Sequence, residues 1–243
     1  MKINTRISKI TSDNVIIRNE KLSDMINSMT FSDAIFLILS KRKPNSSESE
    51  IFNAMLVSII DHGAGTTSSL TSRFVMSGGN SLNTSVGSGV LALGDFHGGA
   101  IENAINDLNE IFNKKISVEE FVKEKIESKK TIYGYGHKVY KDKDMRVVEI
   151  LEICKKLNYK SKFLDFVLLI ENEIEKVKGK KLILNIDGLI AAILLEMGFD
   201  SSVGKGIFII GRVPGLVAQS LEEKEFEKPV RRLEEDDVTY IDE

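Results

Sequence analysis

Apolar residues recur at helical spacing in one segment after another, and no other feature constrains the fold as much. Over residues 22–40, Met25, Ile26, Met29, Phe31, Ala34, Ile35, Leu37 and Ile38 follow this spacing. Residues 99–112 repeat it through Ile101, Ala104, Ile105, Leu108 and Ile111. Further helices are predicted over 48–60, 68–76, 83–93, 118–126, 145–157, 163–177, 187–197 and 207–221. Only three prolines, Pro44, Pro214 and Pro229, punctuate the 243 residues. Strand signal is confined to residues 7–10 and 15–17, which flank the turn-forming Ser12, Asp13 and Asn14 as in a hairpin. An all-α fold with a short N-terminal β-hairpin is expected. Two helices rich in small residues, 68–76 and 83–93, lie either side of Gly78-Gly79-Asn80 and should pack closely.

A chain with 42% hydrophobic residues can bury a substantial core. Its net charge of −3 exerts no general pull toward nucleic acid or membrane. No apolar run is long enough to span a bilayer, and the N-terminal Met1-Lys2-Ile3-Asn4 lacks the core of a secretion signal. A cytoplasmic protein is therefore expected. The single cysteine, Cys154, lies among Ile150, Leu151, Ile153 and Leu157, where it reads as packing.

The three histidines fall outside the apolar stripes, each beside glycine or a polar residue: Asp61-His62-Gly63, Phe96-His97-Gly98-Gly99 and Gly134-Tyr135-Gly136-His137. Glycine there allows close approach of a ligand to the backbone. His97 precedes a helical run, and a helix N-terminus disfavours imidazolium, so a neutral ring could donate to a developing enolate oxygen. Asp187, in Asn185-Ile186-Asp187-Gly188, opens another helix and reads as an N-cap, a base, or both. Arg146 and Arg212 offer guanidinium forks for carboxylates, with a solvated surface role more natural for Arg146. Asp142-Lys143-Asp144 reads as a charged helix start. The histidines lack zinc-helix spacing and no cysteine cluster accompanies them, so no metal site is expected.

The ordered set His62, His97-Gly98-Gly99-Ala100, Gly134-Tyr135-Gly136-His137, Arg146, Asn185-Ile186-Asp187 and Gly211-Arg212 resembles the citrate synthase superfamily. The stretches Lys181–Ile190, Gly206–Arg212, Asp144–Val147 and Asp236–Tyr240 are similar to the citryl-CoA lyase part of ATP-citrate lyase. The resemblance implies a citrate synthase-like fold, with a large helical domain of residues 1–105 and 206–243 and a smaller inserted helical domain of 106–205. It implies cleavage of citryl-CoA to acetyl-CoA and oxaloacetate. The alternatives are condensation by a citrate or 2-methylcitrate synthase, or a non-catalytic partner subunit.

By the same resemblance, Asp187 moves the proton at the acetyl methyl carbon, His97 steadies the enolate oxygen and His137 polarises the oxaloacetate carbonyl. His62, Arg146 and Arg212 hold carboxylates, while Lys141, Tyr133, Gly134 and Gly136 meet coenzyme A. The CoA thioester is substrate, and no metal takes part. A homodimer or larger homo-oligomer is implied, with a citryl-CoA synthetase as a conceivable partner and no nucleic acid or membrane. The family often places an Arg-Pro near the C-terminus that reaches a partner subunit's site. This chain has Lys228-Pro229-Val230-Arg231-Arg232, so Lys228, Arg231 and Arg232 remain candidates for that role, and Gln219 stands where histidine is common.

Overall fold

The structure, a computed structural model, describes residues 2–241. The described residues form eleven α-helices, a three-stranded sheet and one short 3-10 turn. They group into two compact units, one comprising the chain up to Ser58 together with Gly99–Phe208, the other Ile59–Gly98 and the chain from Ile209 onward.

The first unit opens with the antiparallel sheet β1 (Ser8–Ile10), β2 (Val15–Ile17) and β3 (Glu20–Lys21), in register Ser8↔Ile17 and Ile16↔Lys21. The expected hairpin thus gains a third short strand. Helices α1 (Leu22–Ser28) and α2 (Phe31–Ser40) replace the single helix expected over 22–40. Thr30 separates them with a capping box, its side chain accepting from the Asp33 N–H while Asp33 accepts from the Thr30 N–H. Helix α3 (Ser46–Ser58) follows.

After the segment assigned to the second unit come α6 (Ala100–Lys114), α7 (Val118–Glu127), α8 (Met145–Lys156), α9 (Lys162–Lys178) and α10 (Ile186–Glu196). The predicted α6 stripe is the buried one: Ile101, Ala104, Ile105, Leu108 and Ile111. Helix α10 is apolar all round, with Leu189 to Leu194 inaccessible to solvent, and it packs against α6, α8 and α9. Each leucine and isoleucine among them contributes about 1.5–3 kcal/mol by leaving water. Cys154 is 4% exposed in α8, as its pattern predicts, and burial pushes its thiol up to about 11.

The unit boundaries differ from those expected, which placed residues 1–105 with 206–243. The first 58 residues group with the middle of the chain because Phe36 packs edge-on against Phe52 and Phe199 at 5.3 and 5.2 Å. Arg42 adds a hydrogen bond to the Met197 carbonyl at 2.9 Å while its half-exposed side chain pairs with the buried Glu48.

In the second unit, α4 (Thr67–Ser77) and α5 (Leu82–Leu91) make the most extensive helix contact of the described residues. Small residues permit it. Ser68, Ser69, Ser72 and Ser85 are fully buried, and a Cβ on Gly89 would come within 2.9 Å of the Ser68 carbonyl oxygen. Helix α11 (Val203–Phe226) begins in the first unit and ends in the second, with Pro214 inside it. It starts four residues before its apolar pattern does, where Gly204 lies against the backbone of Glu102. No helix of the described residues is long and apolar enough to cross a membrane.

Candidate active site

His137, Arg146 and Asp187 belong to the first unit, as do Lys141, Tyr133, Gly134 and Gly136. His62, His97, Arg212, Arg231 and Arg232 belong to the second.

In the first unit, the loop carrying His137 is strapped to the start of α10. Gly136 N–H donates to the Ile183 carbonyl at 2.7 Å, Asn185 N–H donates to the Gly134 carbonyl at 2.9 Å, and the Asn185 amide donates to the Gly136 carbonyl at 2.8 Å. Gly134 has φ of +87°, and a Cβ on it would come within 2.5 Å of the Gly188 Cα. Glycine is therefore needed on both sides of this backbone contact. The two residues before His137 and the two around Asp187 are held on one scaffold.

Asp187 occupies the second position of α10. The cap is Asn185, whose Oδ1 accepts from the N–H groups of Asp187 and Gly188 at 3.0 and 3.2 Å. The N-cap role expected of Asp187 thus falls to its neighbour. The Asp187 carboxylate keeps the favourable helix-end field without being the cap.

His137 Nδ1 accepts from the backbone N–H groups of Val139 and Tyr140 at 3.1 and 3.0 Å. In the neutral ring the proton therefore sits on Nε2. Arg146 Nη2 lies 3.4 Å from that same Nε2. Two donors side by side make a receptor for an oxygen bearing negative charge. Tyr140 stacks on the imidazole at 4.4 Å and fixes its plane.

Arg146 is oriented by Asp144. Nε and Nη2 donate to the carboxylate at 2.9 and 2.6 Å. Burial acts to raise the Asp144 carboxyl, but the Arg146 guanidinium and the N–H groups of Arg146 and Ile186 outweigh it and hold the group below the usual carboxylate range. Lys141 is exposed, its Nζ donating to the His137 and Lys138 carbonyls at 3.1 and 2.9 Å.

In the second unit, His97 closes a tight turn in which it exchanges backbone hydrogen bonds with Gly94 at 2.9 and 3.0 Å, and Gly98 follows with φ of +88°. Its Nε2 meets both donors of Ser68, the backbone N–H at 3.3 Å and the hydroxyl at 2.9 Å. Ser68 lies in the first turn of α4, so the helix N-terminus facing this ring is that of α4. The N–H of the neutral ring is then on Nδ1. Burial, followed by the charges of Arg212 and His62, pushes His97 below the ordinary imidazole range.

Arg212 is 2% exposed and donates through Nε to the Ile59 carbonyl at 2.9 Å, whereas His62 is exposed. Gly215, one turn on in α11, leaves no room for a Cβ between the helix and the Ile60 carbonyl and Asp61 side chain, and so seats the helix against this loop. Arg231 forks onto Glu223 at 2.8 Å through both Nε and Nη2, with Glu227 at 3.2 Å, and Glu223 also accepts from the buried Arg73 at 2.8 Å. Gln219 accepts from Arg73 at 2.8 Å. Lys228 and Arg232 are exposed.

Ser68, Asn185, Tyr140 and Asp144 were not singled out as site residues from sequence. Asn185 stands in the motif around Asp187, and Asp144 two residues before Arg146 at a charged helix start, where it is indeed the N-cap of α8. Nothing in the sequence ties Ser68 to a histidine 29 positions away.

Residues 2–233 match the family model described as citrate synthase, C-terminal domain. The chain superposes on the structure of citryl-CoA lyase from Hydrogenobacter thermophilus with a TM-score of 0.95 and 47% identity, covering 99% of this chain and 95% of that one. It is 29% identical over 221 residues to ATP-citrate synthase subunit 1 of Sordaria macrospora, covering 84% of this chain and 33% of that protein. It is 30% identical over 224 residues to human ATP-citrate synthase, covering 84% of this chain and 20% of that protein. The chain thus spans a third or less of the length of these two curated relatives. With the family's motifs in order and this fold around them, the chain belongs to the citrate synthase family.

Proposed function

We propose that this chain is a citryl-CoA lyase, splitting citryl-CoA into acetyl-CoA and oxaloacetate. The observation that carries the reading is the His137 loop. Its backbone-fixed Nε2 proton and the Arg146 guanidinium converge 3.4 Å apart on the scaffold that also bears Asp187. The similarity to the Hydrogenobacter citryl-CoA lyase supports the choice of reaction.

In the cleavage direction, the citryl hydroxyl loses its proton and becomes the ketone of oxaloacetate as the carbon–carbon bond breaks. His137 Nε2–H donates to that oxygen, and Arg146, Arg212 and His62 hold carboxylates. The electron pair of the broken bond passes to the thioester, giving the enolate of acetyl-CoA. His97, kept neutral with its proton on Nδ1, donates to the enolate oxygen. Asp187 in its acid form delivers a proton to the enolate carbon, completing the acetyl methyl group. The hydroxyl proton is released to water, and Asp187, having given its proton to the enolate carbon, regains one from water, so the cycle balances.

Lys141 and the Tyr133–Gly136 backbone would meet coenzyme A. The protein would act in the cytoplasm as a homodimer, with Arg232 or Lys228 reaching the partner's site. Arg231 is less suited, because its guanidinium is committed to Glu223 and Glu227. A separate citryl-CoA synthetase would supply the substrate.

Incubation of the purified protein with citryl-CoA, with oxaloacetate followed by a coupled dehydrogenase, tests the proposal. Stoichiometric oxaloacetate and acetyl-CoA are expected. Free CoA formed from acetyl-CoA and oxaloacetate would instead mark a citrate synthase, and inertness toward both substrate sets would reject an enzyme of either kind.

A further inference from the structure

Asp144 has one hundredth of its surface exposed, yet its carboxylate serves two helices. Oδ1 accepts from the Arg146 N–H at 3.1 Å, capping α8, and from Arg146 Nε at 2.9 Å. Oδ2 accepts from Arg146 Nη2 at 2.6 Å and from the Ile186 N–H at 3.2 Å. Ile186 is the first residue of α10, and its N–H is one of the orphan donors of that helix end. Asn185 satisfies the next two, so a residue 42 positions upstream completes the cap.

We infer that Asp144 is a positioning residue that fixes the guanidinium of Arg146 relative to the N-terminus of α10, and so sets the carboxylate receptor in register with Asp187. The inference rests on the proposed lyase reading for what Arg146 and Asp187 do. The coupling itself follows from the four hydrogen bonds. Rotating the Arg146 fork breaks two of them, and moving the carboxylate breaks its bond to the start of α10. The Arg146–Asp144 pair is also neutral as a whole. A substrate carboxylate would therefore be recognised chiefly by aimed donors rather than by net charge.

Asp144→Asn separates this role from simple helix capping. Asparagine caps a helix about as well as aspartate, so the α8 cap survives. Its amide replaces one acceptor by a donor, and that donor must confront either the Arg146 guanidinium or the Ile186 N–H. Positioning predicts that KM for citryl-CoA rises and kcat falls, each by about ten-fold or more, while the circular dichroism spectrum remains that of the folded protein. In an Arg146→Gln background the KM part of the loss should disappear, because its target is gone, while the kcat part carried through α10 persists.

Asp144→Ser, which keeps the cap but has a single oxygen and cannot serve both the Arg146 fork and the Ile186 N–H, should behave like Asp144→Asn and replaces it if that variant does not fold. Oxaloacetate binding, followed by calorimetry, reads the Arg146 half without turnover. A wild type that binds oxaloacetate but leaves citryl-CoA intact defeats the lyase reading alone, and the variants' oxaloacetate affinity then decides the positioning role. Kinetics or affinity within about two-fold of wild type, or losses that simply add to those of Arg146→Gln, would overturn it.

Discussion

Replacing Gly188 by alanine tests the backbone contact on which the His137 loop and α10 depend. A methyl group there would lie 2.6 Å from the Gly134 carbonyl oxygen, 2.9 Å from the Gly134 Cα and 2.9 Å from Leu184 Cδ1. Ordinary contact begins at 3.4 Å, so the Gly134 strand of the loop must retreat by about 0.8 Å. The same carbonyl accepts the Asn185 N–H at 2.9 Å, and that hydrogen bond stretches with it.

Overpacking of this kind costs about 1–3 kcal/mol, against a gain of up to about 1 kcal/mol from placing alanine in a helix. A net loss of about 1–2 kcal/mol lowers Tm by about 2–8 °C in a chain of this size. Displacement of the loop should also cut kcat by about ten- to a hundred-fold, because near-attack geometry is sensitive at the ångström scale. Gly206→Ala is the control. It lies in α11 with open space around it and should hold or raise Tm. Thermal melts and citryl-CoA kinetics on both variants decide the matter. A Gly188→Ala protein as stable and as active as wild type would show that the two glycine backbones are not pressed together.

Asp187→Asn should fold normally and lose about a hundred-fold or more in kcat, read as oxaloacetate release from citryl-CoA. His97 is held below its ordinary value of 6.5, so the unfolded chain takes up its proton first as pH falls. The associated stability is complete above about pH 6.5 and is lost as pH drops through the folded-state value, so melts between about pH 7.5 and pH 5 should decline more for wild type than for His97→Gln. Glu223→Gln strips the charge that pairs Arg73, 6% exposed, with Arg231, and should cost about 3 kcal/mol, measured by urea unfolding at neutral pH.

The helices were legible because burial of one face imposes a periodicity that survives without knowledge of partners. Where the pattern misled, a local bond had overridden it. Met29 and Phe31 continue the apolar spacing across the gap between α1 and α2, yet Phe31 is 82% exposed and the Thr30–Asp33 box ends one helix and starts the next. The α11 start escaped notice because Gly204 and Gly206 break the helical pattern there, and Gly204 owes its place to close approach against Glu102. Asn185 and Asp187 are equally good caps on paper, and only the backbone path selects the first.

Among the candidate site residues, motif order singled out the histidines, Arg146, Arg212 and Asp187. Their supports come from elsewhere in the chain. Asp144 sits in a run of lysines and aspartates that looks solvated, and its burial is a tertiary fact. The commitment of Arg231 to Glu223 likewise depends on where the chain turns after α11, which no spacing rule supplies.

The proton positions of the two imidazoles have an evolutionary consequence. Main-chain amides at positions 68, 139 and 140 help dictate which nitrogen stays bare in each ring. Side chains at those three sites can therefore drift without erasing that instruction; Ser68→Ala would forfeit a hydroxyl and retain the amide. Proline alone, having no amide hydrogen, can delete it, so an alignment of working homologues should lack proline at all three positions.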